Sequence, residues 1–129
     1  MTEIIIKLFF IAFFINLLYE ILHSFLYETC LNVHLKRYIF LIFKAAIFDG
    51  FSITAIYFIV SLIFANNLRI SMFLLISLIF AYGYEKYALS HKRWKYSNSM
   101  PILLGVGITP LIQLALTGLL SIYLVLNFC

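Results

Sequence analysis

The chain alternates long apolar blocks with short polar breaks. The apolar blocks run over about 4–27, 38–64, 68–89 and 101–128. The breaks read "CLNVHLKR", "ANNLR" and "SHKRWKYSNSMP". A bilayer core of about 30 Å takes about 20 helical residues, so each block is long enough to cross one. The blocks show no strand-like alternation, and only helices and closed barrels satisfy their backbone in lipid. The pattern predicts an all-α, polytopic membrane four-helix bundle, with 1–129 as one integral membrane domain. In the third break Ser99 can cap a helix and Pro101 can open it, since a first-turn proline loses no hydrogen bond. Pro110 then falls inside the fourth span, where it should kink the helix and free the Val106 carbonyl. Gly105 and Gly107 loosen the same turn.

Composition agrees. The 129 residues are 65% hydrophobic and 11% charged, with a mean hydropathy of +1.10, too little polar surface for a water-soluble domain of this size. The net charge of +4 carries no nucleic-acid signal, because most of the basic residues cluster in short breaks between apolar blocks. Lys36 and Arg37 lie in the first break, and Lys92, Arg93 and Lys95 in the third; the second holds only Arg69. By the positive-inside rule, breaks one and three face the cytoplasm and both termini are extracytoplasmic. The expected location is a bacterial inner (plasma) membrane. The first block is too long for a secretory signal, carries Glu20 and His23, and lacks a small-x-small cleavage site, so it is expected to be retained. Cys30 and Cys129 form no disulfide framework and no metal-ligand spacing, and they fall on opposite faces of the membrane.

The candidate chemistry lies within the apolar blocks. In "NLLYEILHSFLY" (16–27), Asn16, Glu20, His23 and Tyr27 follow at intervals of four, three and four, which is one helical stripe. The second span holds Lys44 and Asp49, the third Glu85 beside Tyr84, and the fourth Thr109, Gln113, Thr117 and Ser121. Asp49 and Gln113 come about 17 Å in from the cytoplasmic end, at about 1.5 Å per residue, level with Glu20, His23 and Glu85. A charge at the bilayer centre costs about 2.5–3.5 kcal/mol even on mild scales, so these groups are expected to face inward and share partners. Glu20–Lys44 or His23–Asp49 pairs could equally be staples between helices, and Lys44 can snorkel to the surface. "RWKY" (93–96) suits an interfacial belt. It also suits a lid over the pocket, with Arg93, Trp94 and Tyr96 meeting a substrate and Arg93 an anionic headgroup or diphosphate. "YE" recurs at Tyr19-Glu20 and Tyr84-Glu85, and Glu20 precedes Asp49 by 29 positions as Glu85 precedes Gln113 by 28, a weak hint of a two-plus-two repeat.

"YEKYAL", "RWKYSNSMP" and "GVGITPLIQL", with "NLLYEILHSFLY" and "FDG" before them, resemble a family of small bacterial four-helix membrane proteins that brings no function with it. In that family the first motif more often ends in Gln where His23 stands here. The second half is also distantly similar to the membrane-embedded lycopene cyclase subunits. Glu85, Trp94 with Tyr96, Gly105 and Pro110 stand in the order of their motifs, and Gln113 falls near their acid pair. That likeness implies proton-driven chemistry on an isoprenoid, with an amide where those cyclases place acids.

Three function classes follow. The first is acid–base chemistry on a lipid-soluble substrate, isoprenoid or lipid, with Glu85, Asp49, Glu20 and His23 as catalytic candidates and Gln113, Arg93, Trp94, Tyr96 and Asn16 as binding candidates. Tyr84 or Trp94 could face a developing cation. Its metal variant rests on Glu20-x-x-His23, with Asp49 and Glu85 as further ligands. The second is a proton-coupled transporter or ion path, for which four helices would need a homodimer. The third is a helper subunit without catalysis, whose cue would be Ala45, Ala46, Gly50 and Gly118 as close-contact residues. Membrane lipids are the expected partners, and no cofactor is specified.

Overall fold

The computed structural model describes residues 1–128; Cys129 lies outside the described residues, and with it its placement relative to Cys30. Four helices form: α1 Thr2–His23, α2 Leu35–Ile63, α3 Asn66–Ser90 and α4 Ile108–Phe128. Each is long and apolar enough to cross a membrane. They pack as a ring in which α1 contacts α2 and α4, and α3 contacts α2 and α4. Phe10, Phe14, Phe51, Ile59, Ile79, Leu116 and Phe128 point outward. An exterior this apolar suits hydrocarbon rather than water.

The breaks are built by local hydrogen bonding. α2 and α3 are joined by Phe64 and Ala65 alone. There Arg69 donates from Nε to the Phe64 carbonyl and from Nη2 to the Ser61 carbonyl, both at 3.2 Å, which serves the end of α2. α3 stops because Lys92 turns left-handed (φ 55°). The Arg93 N–H then reaches back to the Ala88 carbonyl at 2.9 Å, closing a Schellman-type cap. After α1, two 3-10 turns, Ser24–Leu26 and Glu28–Cys30, carry the chain toward α2. The α1–α2 and α3–α4 connections pair with each other: Glu28 N–H donates to the Lys95 carbonyl and Ser97 N–H to the Leu26 carbonyl, both at 2.8 Å. Tyr27 and Tyr96 thereby come side by side.

The fourth span departs from expectation. It does not open at Pro101. Residues 101–107 form a hairpin, with β1 (Ile102–Leu103) antiparallel to β2 (Val106–Gly107). Its two turn residues, Leu104 (φ 54°) and Gly105 (φ 85°), both have positive φ, the geometry of a tight two-residue hairpin turn. Glycine takes that backbone without cost, and Leu104 takes it with its carbonyl held by the Tyr82 hydroxyl at 3.1 Å. α4 therefore begins at Ile108, and Pro110 falls in its first turn. No kink is needed, because a first-turn N–H has no helical partner to lose. Gln113 lies five residues into α4, about 7.5 Å, and Asp49 fourteen into α2, about 21 Å. These two residues touch, so α4 starts about 13 Å deeper in the bundle than α2. The hairpin fills that difference, with Ile102, Leu103 and Leu104 exposed at its outer side.

The half of the bundle away from this hairpin is packed by Leu8, Ile53, Val60, Phe73, Ile122 and Val125. Gly50 lets the Phe9 ring and the α1 backbone approach, and Gly118 makes room for Phe73, so both glycines serve contacts within the chain.

Candidate functional site

The polar stripe of α1 meets α2 and α4 in one buried network. Asn16 is fully buried; its amide donates to the Ala12 carbonyl at 2.8 Å. The Asn16 Oδ1 accepts from Gln113 Nε2 at 2.9 Å and from the Thr117 hydroxyl at 3.1 Å. The same Gln113 nitrogen lies 2.8 Å from Glu20 Oε1 and 2.8 Å from Asp49 Oδ2. Glu20 on α1 and Asp49 on α2 thus meet at one amide nitrogen of α4. His23 Nε2 is 3.1 Å from Glu20 Oε2, and its Nδ1 is 3.1 Å from the Thr109 hydroxyl. The Tyr19 hydroxyl donates to the Thr109 carbonyl at 2.6 Å, tying the end of α1 to the start of α4.

Glu85 stands in a neighbouring group. Its Oε1 accepts from Trp94 Nε1 at 2.9 Å, from the Tyr96 hydroxyl at 2.5 Å and from the Tyr27 hydroxyl at 3.4 Å. All three donors meet one oxygen. Tyr96 also accepts the Gly107 N–H at 2.9 Å, so it links the hairpin to the carboxyl. Tyr27 and Tyr96 belong to the connections between the helices, outside the spanning segments of the chain. Burial holds both above the usual tyrosine value, and Glu85 adds to this. Both therefore remain hydroxyl donors at neutral pH.

A cavity of about 550 Å³ joins the two groups. Glu20, Asp49 and Glu85 line it together with Gln113, Tyr27 and Trp94. Its α2–α3 wall is formed by Leu41, Ala45, Phe48, Phe80, Ala81 and Tyr84, and Phe48 stacks on Tyr84 with ring centroids 4.5 Å apart. Arg37, Lys44 and Arg93, all exposed, also line it, so the cavity reaches the surface.

Asn16, Glu20 and His23 of the stripe, with Asp49 and Gln113, thus converge, whereas Tyr27, beyond the end of α1, joins Glu85; Trp94 lines the cavity, and Tyr96 reaches Glu85 without being among the lining residues. Three expectations change. His23 pairs with Glu20, not Asp49, because both sit on one face of α1. Among the described residues no ion pair joins Lys44 to Glu20. The two-plus-two arrangement does not produce two equivalent pairs: Gln113 bonds Glu20 and Asp49, whereas Glu85 turns to the aromatic donors. Ser121 bonds the Thr117 carbonyl one turn back at 2.6 Å, in keeping with the reading of this ladder as helix packing. Both ring nitrogens of His23 are engaged, and among the described residues no group of three or more His, Cys, Asp and Glu is arranged to hold a metal. Tyr27 as a Glu85 donor and Thr109 as a His23 partner were missed. The first break looked like solvent loop, and nothing in "CLNVHLKR" or "RWKYSNSMP" announces that the two loops pair.

Comparison of the chain with known protein families, with curated proteins and with solved structures brings no match.

Proposed function

We propose that the chain is a multi-pass membrane enzyme that performs acid–base chemistry on a lipid-soluble substrate, isoprenoid or lipid. Its setting is a bacterial plasma membrane, with the hairpin end of the bundle toward the cytoplasm and both termini outside, as the positive-inside rule requires. One observation carries the reading. A cavity large enough for a substantial part of a lipid has three carboxyls from three helices on its walls and aromatic side chains on its α2–α3 side. Ionisable groups are expensive at this depth, and pairing alone would not need a cavity between them.

In this reading Glu20 and Asp49, which meet at the amide nitrogen of Gln113, are the proton-handling pair, since two carboxyls brought this close can hold one proton between them. Gln113 fixes both, and His23 orients Glu20. Glu85 is the second group, steadied on one oxygen by Trp94, Tyr96 and Tyr27. One group delivers a proton to the apolar chain of the substrate and the other removes one, so the chemistry consumes no net proton. Trp94 and Tyr84 present ring faces that suit a transient carbocation. The likeness of the second half to lycopene cyclases agrees with this chemistry. A path across the whole bilayer would need polar groups through the far half, where Leu8, Phe73, Val60 and Ile122 pack against one another.

The test is conversion. Detergent-purified protein is incubated with a bacterial total lipid extract and the lipid masses are followed, for wild type, Asp49→Asn and Glu85→Gln. The expected result is a lipid species altered by wild type alone, while both variants still co-purify with its precursor. If wild type alters none, the enzyme reading falls.

A further inference from the structure

The cavity wall also carries cations that no carboxylate answers. Among the described residues the acidic partners of basic side chains are Glu3 with Lys7, Glu20 with His23 and Glu28 with Lys95. Arg37, Lys44 and Arg93 are in none of these, although Glu20, Asp49 and Glu85 line the same cavity. Arg37 and Lys44 are two turns apart on one face of α2, with Leu41 between them and Ala45 beside Lys44 on the same stripe. Lys44 lies nine residues into α2, about 13 Å from its start, where the flanking residues are apolar. An ammonium at that depth is costly unless it meets water or an anion. Arg93 comes from another element, immediately after the cap of α3; its N–H holds the Ala88 carbonyl, and the residue lines the same cavity.

We infer that these three cations form the head-group subsite of the cavity, and that its ligand is an amphiphile with a phosphate or diphosphate head and a long apolar chain. The inference rests on the lipid-site reading above and adds the chemistry of the head. Arginine forks match phosphate oxygens in pairs, and lysine supplies a point charge beside them. The head sits at Arg37, Lys44 and Arg93. The chain passes Phe48, Phe80 and Tyr84 toward Asp49 and Glu85. This polarity keeps the anionic head away from the carboxyls and places the apolar chain against them.

Trp94 is the chain's only tryptophan and lines the cavity, so its fluorescence reports occupancy. Full-length protein in detergent is titrated with farnesyl diphosphate and with a short-chain phosphatidic acid, each against its uncharged counterpart, farnesol or the matching diacylglycerol, and with inorganic diphosphate. At least one phosphorylated probe should bind about a hundredfold more tightly than its uncharged partner, with inorganic diphosphate far weaker than either. Arg37→Gln and Arg93→Gln should each weaken the phosphorylated probe about tenfold, the value of a charge-assisted hydrogen bond, and leave the uncharged probe unchanged. Lys44→Gln should act in the same direction. Equal binding of charged and uncharged probes would overturn the head-group subsite and leave the lipid site standing. Inorganic diphosphate binding as tightly as the amphiphiles would overturn the amphiphile. If none of the lipid probes binds, the lipid site itself fails.

Discussion

Gln113 is the residue on which the buried network turns. Its Nε2 carries two hydrogens, yet three oxygens lie within 2.9 Å of it, on Asn16, Glu20 and Asp49. With two hydrogens for three acceptors, one of those contacts is shared. Gln113→Leu keeps the volume and removes the donor. Three buried acceptors then lose it together, and stability should fall by about 2–4 kcal/mol. Thermal unfolding in detergent measures this; a loss below about 1 kcal/mol would mean that water or another donor already serves these oxygens. The polar face of α1 was legible in the sequence as far as His23, because intervals of four and three fix a stripe; Tyr27, read as its next member, falls beyond the helix end on extended backbone. The partner of each group was not. Spacing along a helix says nothing of how its neighbours are rotated, so His23 could be placed near acids but not assigned to Glu20, and Tyr27 could not be matched with Glu85.

Among the elements, three helices follow the hydropathy pattern to within a few residues, and the fourth does not. The apolar run from Pro101 reads as helix because Ile102, Leu103 and Leu104 are apolar. They are apolar for another reason: they form the exposed outer side of a hairpin that occupies the depth of two helical turns. The signal that separates the cases is Gly105, read above as a loosened helical turn. Its φ of 85° is open to glycine and strained for any side chain. The two readings of this segment make opposite predictions. A mid-helix proline that kinks α4 would leave a hydrogen-bonding position to be restored by Pro110→Ala, straightening the helix and disturbing the pocket. A first-turn proline has no such position, so Pro110→Ala should change stability by less than about 1 kcal/mol. Gly105→Ala should cost about 1 kcal/mol or more and shift Trp94 emission, because the hairpin holds Tyr96 through the Gly107 N–H. Melting curves and emission spectra of the two variants decide between them. A strong effect of Pro110→Ala with a silent Gly105→Ala would restore the continuous helix.

The described residues form a ring of four helices, tightly packed at the end where α1 starts and α4 finishes and hollow at the other. The hollow end carries the basic loops and the cavity, so its side of the membrane determines from where a charged head would enter. Cys30 reports that side, since it lies in the α1–α2 connection on the cavity wall. With Cys129→Ser, a membrane-impermeant maleimide should label Cys30 in inside-out vesicles and not in intact cells. Labelling from the outside of intact cells would invert the orientation and remove the positive-inside argument. The reaction has its own pH signature. Burial pushes the Cys30 thiol above its usual value, and Glu20 adds to the push. The thiolate is the reactive form. A raised value leaves less of it at neutral pH, so labelling should be slow there and still be climbing above about pH 8.5, where a free thiol is half ionised. A rate that levels off near that pH would mean that Cys30 faces open water, and that the cavity wall at Thr29 and Cys30 is looser than its packing implies.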